Sequence, residues 1–272
     1  MKKKGSSFLT TFGLMSRVRI SYTGEARFSG SLFYIPFIGF IVSVLLFGMY
    51  AGLSNIIPDP FIVVLAILIV QYLLFNLFHF DGYLDTADAF FCFADREKRL
   101  AILKDSSTGA FALFFGAVYI GAKLYLLTKT GVYFYILGGD PFSKWALIFL
   151  FFSYPLTGRT AAALIPLVAK PAREGGLGAS MKEAKPYTAL FGLLLAHIPG
   201  IALYIGAYIL FSSVSLLFFL SCGGAFLAFI LTAAAYNRKA GGYTGDAFGL
   251  AIETGEILHV FIFYLLLTYG LG

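Results

Sequence analysis

Apolar residues run along this chain in stretches ended by charge, proline or glycine, at 31–51, 60–78, 110–128, 145–167, 187–211, 215–236 and 248–269. Crossing roughly 30 Å of hydrocarbon takes roughly 20 mostly apolar residues in a helix, and each stretch is close to that length. The pattern predicts an all-α fold: a polytopic integral membrane helical bundle of about seven transmembrane helices. Only Ser212, Ser213, Val214 and Ser215 separate the fifth and sixth runs, which predicts a tight hairpin. Near the N-terminus Phe8, Leu9, Phe12 and Met15 recur at helical spacing. That pattern suits a helix lying on the membrane surface with its basic neighbours toward anionic lipid. A loose basic tail is the alternative.

Composition supports lipid as the solvent, because 59% of the 272 residues are hydrophobic and only 12% charged, too little polar material to coat a soluble globule. No linker or internal repeat divides the chain. Residues 1–272 read as one membrane domain, with a basic N-terminal segment at 1–30 and an acidic segment at 79–109. The start is too interrupted by Ser, Thr and Arg to read as a cleaved signal. With the N-terminus in the cytoplasm, 16 of the 20 Lys and Arg residues fall on the inner side of the predicted spans, as the positive-inside bias requires. Seven spans would put the two termini on opposite sides. The net charge of +6 therefore reads as topology, since no basic stripe interleaved with stacking aromatics points to nucleic acid. Cys92 and Cys222 lack the spacing of a disulfide framework or a zinc site.

The chemistry concentrates between His79 and Gly109. Asp81, Asp85 and Asp88 are spaced by four and then three, so a helix continuing the second span carries all three on one face. Like charges there repel unless protonated, solvated or neutralised, and a hard divalent cation is the partner oxygen ligands favour. Magnesium usually takes one or two carboxylates plus waters and phosphates, so the cluster suits a diphosphate ligand, and Gly82 would let the phosphate approach the backbone. A solvated acidic helix end is the plainer reading. Lys104, Asp105, Ser106, Ser107, Thr108 and Gly109 before the third span offer either phosphate contacts or an N-cap. Arg159, beside Gly158 and four residues after Pro155, is a charge at membrane depth. It suits an anion, a snorkelling side chain, or an ion pair with Glu253 or Glu256. The turn Gly241-Gly242-Tyr243-Thr244-Gly245-Asp246 precedes the last span, where it could cradle phosphate or complete the metal site through Asp246. Glu253, Glu256 and His259 share one face of that span. His79 and His259 are candidate bases, and His79 adjoins the acids.

At these residues the sequence resembles the cobalamin synthase family, the adenosylcobinamide-GDP ribazoletransferases. His79-Phe80-Asp81-Gly82 with Asp85-Thr86-Ala87-Asp88 is similar to the family's acidic signature, and Lys104-Asp105-Ser106 with Gly109 to its KDS segment. Gly158-Arg159, Gly175-Gly176-Leu177-Gly178 and Gly242-Tyr243-Thr244-Gly245-Asp246 follow in order. Ala89 stands where glycine is expected, Ser107 and Thr108 where a basic residue often follows, and the arginine and proline usual near the N-terminus are only partly echoed by Arg17. The resemblance implies a magnesium-dependent transferase of the cytoplasmic (inner) membrane, its site facing the cytoplasm. Such an enzyme joins adenosylcobinamide-GDP to alpha-ribazole or its 5'-phosphate, forms adenosylcobalamin or its phosphate, and releases GMP. It further implies that Asp81, Asp85, Asp88 and Asp246 hold Mg²⁺, that Lys104, Asp105, Ser106, Arg159, Gly82, Gly242, Thr244 and Gly245 meet substrate phosphate, and that His79 is the base. A homo-oligomer is compatible with it. Rival readings are a CDP-alcohol phosphotransferase, whose longer DGxxARxxG pattern is missing after Asp81-Gly82, a secondary transporter running through Arg159, Glu253 and Glu256, and a scaffold.

Overall fold

The computed structural model describes residues 5–18, 25–105, 107–136, 141–211 and 215–269. Their helices in chain order are α1 (Ser7–Met15), α2 (Ser31–Leu53), α3 (Pro60–Gln71), α4 (Leu77–Phe91), α5 (Arg96–Ile102), α6 (Ala110–Ile136), α7 (Pro141–Val168), α8 (Gly176–Ser180), α9 (Pro186–Phe211), α10 (Ser215–Lys239) and α11 (Gly245–Tyr269). Long helices stand at all seven predicted apolar runs. Ser31–Leu53, Pro60–Phe91, Ala110–Val132, Ala146–Val168 and Gly245–Tyr269 are long and apolar enough to cross a membrane, and a shorter apolar helix lies at Tyr187–Ala202. Residues 212–214 of the predicted hairpin lie outside the described residues. Among those described there is no sheet; an isolated parallel bridge joins Pro171 to Tyr243.

The second run extends further than its hydropathy predicts. Asp59 caps its start by accepting from the Phe61 amide at 2.8 Å, and Pro60 fits the first turn, where its missing N–H costs nothing. The helix then passes through one π turn, Tyr72–Asn76, and continues as α4. The 32 residues from Pro60 to Phe91 measure about 48 Å at 1.5 Å per residue, so the last turns, which carry the aspartates, outrun a hydrocarbon slab of roughly 30 Å.

Helix α7 is almost wholly enclosed and packs on α2, α9, α10 and α11, while α11 also packs on α4 and α6. Close crossings rest on glycine. A methyl at Gly255 would stand 2.9 Å from Gly158 Cα where α7 meets α11, and one at Gly249 would collide with the His79 carbonyl where α4 meets α11. Lipid gives little hydrophobic drive between helices, so association depends on such close packing. Helix α1 is tied down rather than loose: Phe8 packs edge-on against Tyr34 of α2, and Thr11 donates to Ser31 Oγ at 2.9 Å. The Arg17 amide donates to the Leu74 carbonyl inside the π turn at 2.7 Å.

Candidate active site

One end of the bundle gathers the residues that the motifs singled out. Asp81 is exposed at the rim of α4, and Asp85 and Asp88 are half-buried. Asp85 lies within electrostatic reach of Asp81, Asp88, Asp105 and Asp246. Asp246 comes from the first turn of α11, and Thr244 Oγ1 donates to its Oδ2 at 2.8 Å. The two helices meet so closely that a methyl on Gly82 would stand 2.9 Å from Asp246 Cα. Buried Tyr236 of α10 braces this corner, its hydroxyl 2.7 Å from Thr86 Oγ1. Lys239 donates to the Phe90 carbonyl at the end of α4, where the helix dipole favours a cation.

A pocket of about 170 Å³ opens beside this cluster, lined among others by His79, Asp81, Arg173, Asp246, Met15 and Leu177. His79 is buried, with a hydrogen bond to the Met15 backbone. Its Nε2 has no partner among the described residues. A more open groove of about 380 Å³ shares Asp81 and Phe78 with the pocket and extends past Phe80 and Leu84 to Arg17, room for a bulky ligand. The acids face one another without closing a cage: among the described residues no group of three His, Cys, Asp or Glu converges tightly enough to hold a metal alone.

Other sequence candidates are placed differently. Asp88 turns to α6, its Oδ2 accepting from the Gly109 amide at 2.6 Å and its Oδ1 from Ala112 at 2.9 Å. The cap of α6 thus comes from α4, and the preceding Asp105 closes its own turn by accepting from the Ser107 amide at 3.0 Å. That amide holds the Asp105 carboxyl below the usual carboxylate range. Lys104 is exposed at the rim, and Ser106 lies outside the described residues.

Arg159 is not brought to the pocket. It is fully buried, with Nη1 donating to Glu256 at 2.9 Å and to the Pro155 carbonyl, and Nη2 to Asn76 Oδ1 at 2.9 Å. Of the sequence alternatives the ion pair is therefore the one realised, with Glu256 of α11 as the carboxylate that anchors the guanidinium. Lys123 of α6 completes the set: its Nζ binds Glu256 Oε2 and lies 3.7 Å from Glu253. Gln71, Tyr72 and Asn76 donate to the same two glutamates. In a π turn the i→i+5 bond brings residues five apart onto one side, which explains how Gln71 and Asn76 both reach Glu256. His259, on the same face of α11, sits instead between Ser153 and Thr157 of α7.

The pattern of the cobalamin-5-phosphate synthase family matches residues 7–264, so every motif above lies inside it. The chain is 31% identical over 249 residues to the adenosylcobinamide-GDP ribazoletransferase of Thermosipho melanesiensis, covering 89% of this chain and 91% of that one. It is 27% identical to the protein of the same name from Clostridioides difficile, with 92% and 93% covered, and 28% identical to that from a Geobacillus species, with 99% of each. No solved structure matches. A match over residues 7–264, carried by a helical bundle whose acidic and glycine-rich segments meet at one end, shows the family: the chain belongs to the cobalamin-5-phosphate synthase family.

Proposed function

We propose that the protein joins adenosylcobinamide-GDP to alpha-ribazole or its 5'-phosphate, forming adenosylcobalamin or its 5'-phosphate and releasing GMP. The observation that carries the reading is the meeting of Asp81 and Asp85 from α4 with Asp246 from α11 beside a pocket, in a chain matched to the family from residue 7 to 264. In this reaction a ribose hydroxyl attacks the phosphorus on the corrinoid side of the diphosphate. A new O–P bond forms, the anhydride P–O bond breaks, and its electron pair leaves on GMP.

The donor set suits magnesium: every candidate ligand is a carboxylate oxygen, the like charges crowd Asp85, and the open arrangement leaves coordination positions for phosphate. Held by Asp81, Asp85 and Asp246, with Asp88 one turn beyond, the ion would neutralise the diphosphate and the departing GMP. The protein's own groups do the positioning. Thr244 fixes the orientation of Asp246, Gly82 lets α4 and the start of α11 meet closely, Gly245 brings bare backbone to the pocket for a phosphate, and His79 Nε2 is free to take the hydroxyl proton. Lys104, exposed at the rim, supplies a contact there. Arg159 acts from within, holding Asn76 and Glu256 and so the orientation of α4. The basic residues crowding the site end support a cytoplasmic orientation in the cytoplasmic membrane.

The test is turnover by detergent-purified protein given adenosylcobinamide-GDP, alpha-ribazole and Mg²⁺, read as GMP and cobalamin. Chelation should abolish it and added Mg²⁺ restore it. Asp85→Asn should end turnover while leaving membrane insertion intact; near-normal activity in that variant rejects the metal role.

A further inference from the structure

Four basic residues sit between α7 and α9, and a charge-bias reading treats them alike. Lys170, Lys182 and Lys185 are exposed, whereas Arg173 is half-buried and lines the pocket together with Asp81 and Asp246, near enough for its charge to act on Asp246. It also lines a narrow recess formed by Gly175, Gly176, Gly178 and the Tyr243–Gly245 backbone. Its Nη1 is buried with no hydrogen-bond partner among the described residues. An unsatisfied buried guanidinium nitrogen is costly, and the cost is offset when an anion occupies the place it faces.

The backbone on either side of Arg173 is held firmly. The Ala172 amide donates to the Tyr243 carbonyl and the Tyr243 amide to the Lys170 carbonyl, both at 2.9 Å. Arg96 spans the two loops, with Nε donating to Ala240 at 2.9 Å and Nη2 to Ala172 at 3.3 Å. Gly242, at φ 147°, is required there, since a side chain would collide with the Lys170 carbonyl. Arg173 is thus fixed relative to Asp246, and its reach into the pocket is built in.

We infer that Arg173 is the cationic wall of an oxyanion subsite, binding a phosphate group of substrate through its guanidinium, beside the carboxylates that face the metal side. The inference rests on the reaction proposed above and adds a binding residue to it. A planar guanidinium presents two parallel N–H donors to phosphate, which an ammonium does not. It also offsets the repulsion that Asp81 and Asp246 exert on an incoming diphosphate. The phosphate belongs either to the GDP moiety or to the 5'-phosphate of the acceptor.

Arg173→Gln and Arg173→Lys, checked for unchanged thermal unfolding in detergent, separate the cases. With Arg173→Gln, KM for adenosylcobinamide-GDP and Kd for GDP in the presence of Mg²⁺ should both rise at least tenfold. kcat should change less, and Arg173→Lys should recover part of the loss. A rise confined to ribazole 5'-phosphate and absent with unphosphorylated ribazole keeps the subsite and assigns it to the acceptor. KM values for all three substrates and a GDP Kd within twofold of wild type overturn it. Wild-type protein that binds GDP without making cobalamin would sink the proposed reaction alone, and the GDP comparison would still decide the role of Arg173.

Discussion

Replacing Lys123 by methionine isolates the energetics of the bundle interior. Lys123, Arg159, Glu253 and Glu256 are all fully buried and their charges cancel. Lys123 Nζ contacts Glu256, lies 3.2 Å from the Tyr72 hydroxyl, and sits 5.0, 5.5 and 5.6 Å from the ring centres of Tyr72, Tyr119 and Tyr154. Methionine matches much of its volume but leaves one carboxylate uncompensated where no water can solvate it. Removing one partner of a buried pair costs about 3–5 kcal/mol, a drop of roughly 10 °C in unfolding midpoint at about 2–4 °C per kcal/mol. Adding Glu253→Gln restores neutrality, because Arg159 still pairs with Glu256 and the glutamine amide can still meet Asn76 and Tyr72. The double variant should therefore be more stable than the single one by about 1–2 kcal/mol, because the interaction between the two positions outweighs the cost of Glu253→Gln alone. The assay is thermal or denaturant unfolding in detergent micelles. A Lys123→Met protein within about 0.5 kcal/mol of wild type, or a double variant weaker than the single, would refute the charge-balance reasoning.

Three further outcomes follow from the site. Asp88→Ala removes the acceptor for the Gly109 and Ala112 amides and should cost about 1 kcal/mol, the usual value of a lost cap; faster hydrogen exchange at the start of α6 is the check. Gly82→Ala drives a methyl against the Asp246 backbone, and steady-state kinetics should show at least a tenfold fall in kcat/KM in protein that still elutes normally on size exclusion. Cys92, half-buried at the site end of α4, should react with a membrane-impermeant maleimide in inverted but not right-side-out vesicles when Cys222 is changed to serine, and the opposite pattern reverses the orientation.

The helices were legible because a lipid solvent forces every span to be long and apolar, a demand that Ile35, Val64 or Phe263 meets whatever its neighbours are. The four-then-three spacing of the aspartates likewise put Asp81 and Asp85 on one face of α4. What spacing could not reveal is where a carboxylate finds its partner. Asp88 shares that stripe yet turns to amides 21 and 24 residues on, a contact set by how α4 crosses α6. Arg173 was hidden by its surroundings, since a basic residue in a basic loop is what topology alone supplies. Its distinction from Lys170 lies in its half-burial at a pocket shared with Asp246, a neighbour that the local sequence does not reveal. Lys123 was visible as a charge inside an apolar run, and such a charge implies a buried counterion. Arg159 was visible in the same way, and Glu253 and Glu256 were named as its partners, but nothing local joined Lys123 to that set.

The widened turn at Tyr72–Asn76 links the two chemistries of the molecule. Relative to an uninterrupted α-helix it inserts one residue, and each residue of such a helix turns the chain by about 100°. Everything beyond it, from His79 to Asp88, is rotated by that angle with respect to the part of the helix that ends at Gln71. The ionic interior and the acidic rim each need their own azimuth on α11, and one surplus residue lets a single continuous rod satisfy both. The α4 rim is therefore clocked by the polar interior, so a shift among Glu253, Glu256 and Asn76 would reach the acidic end as a rotation rather than a displacement.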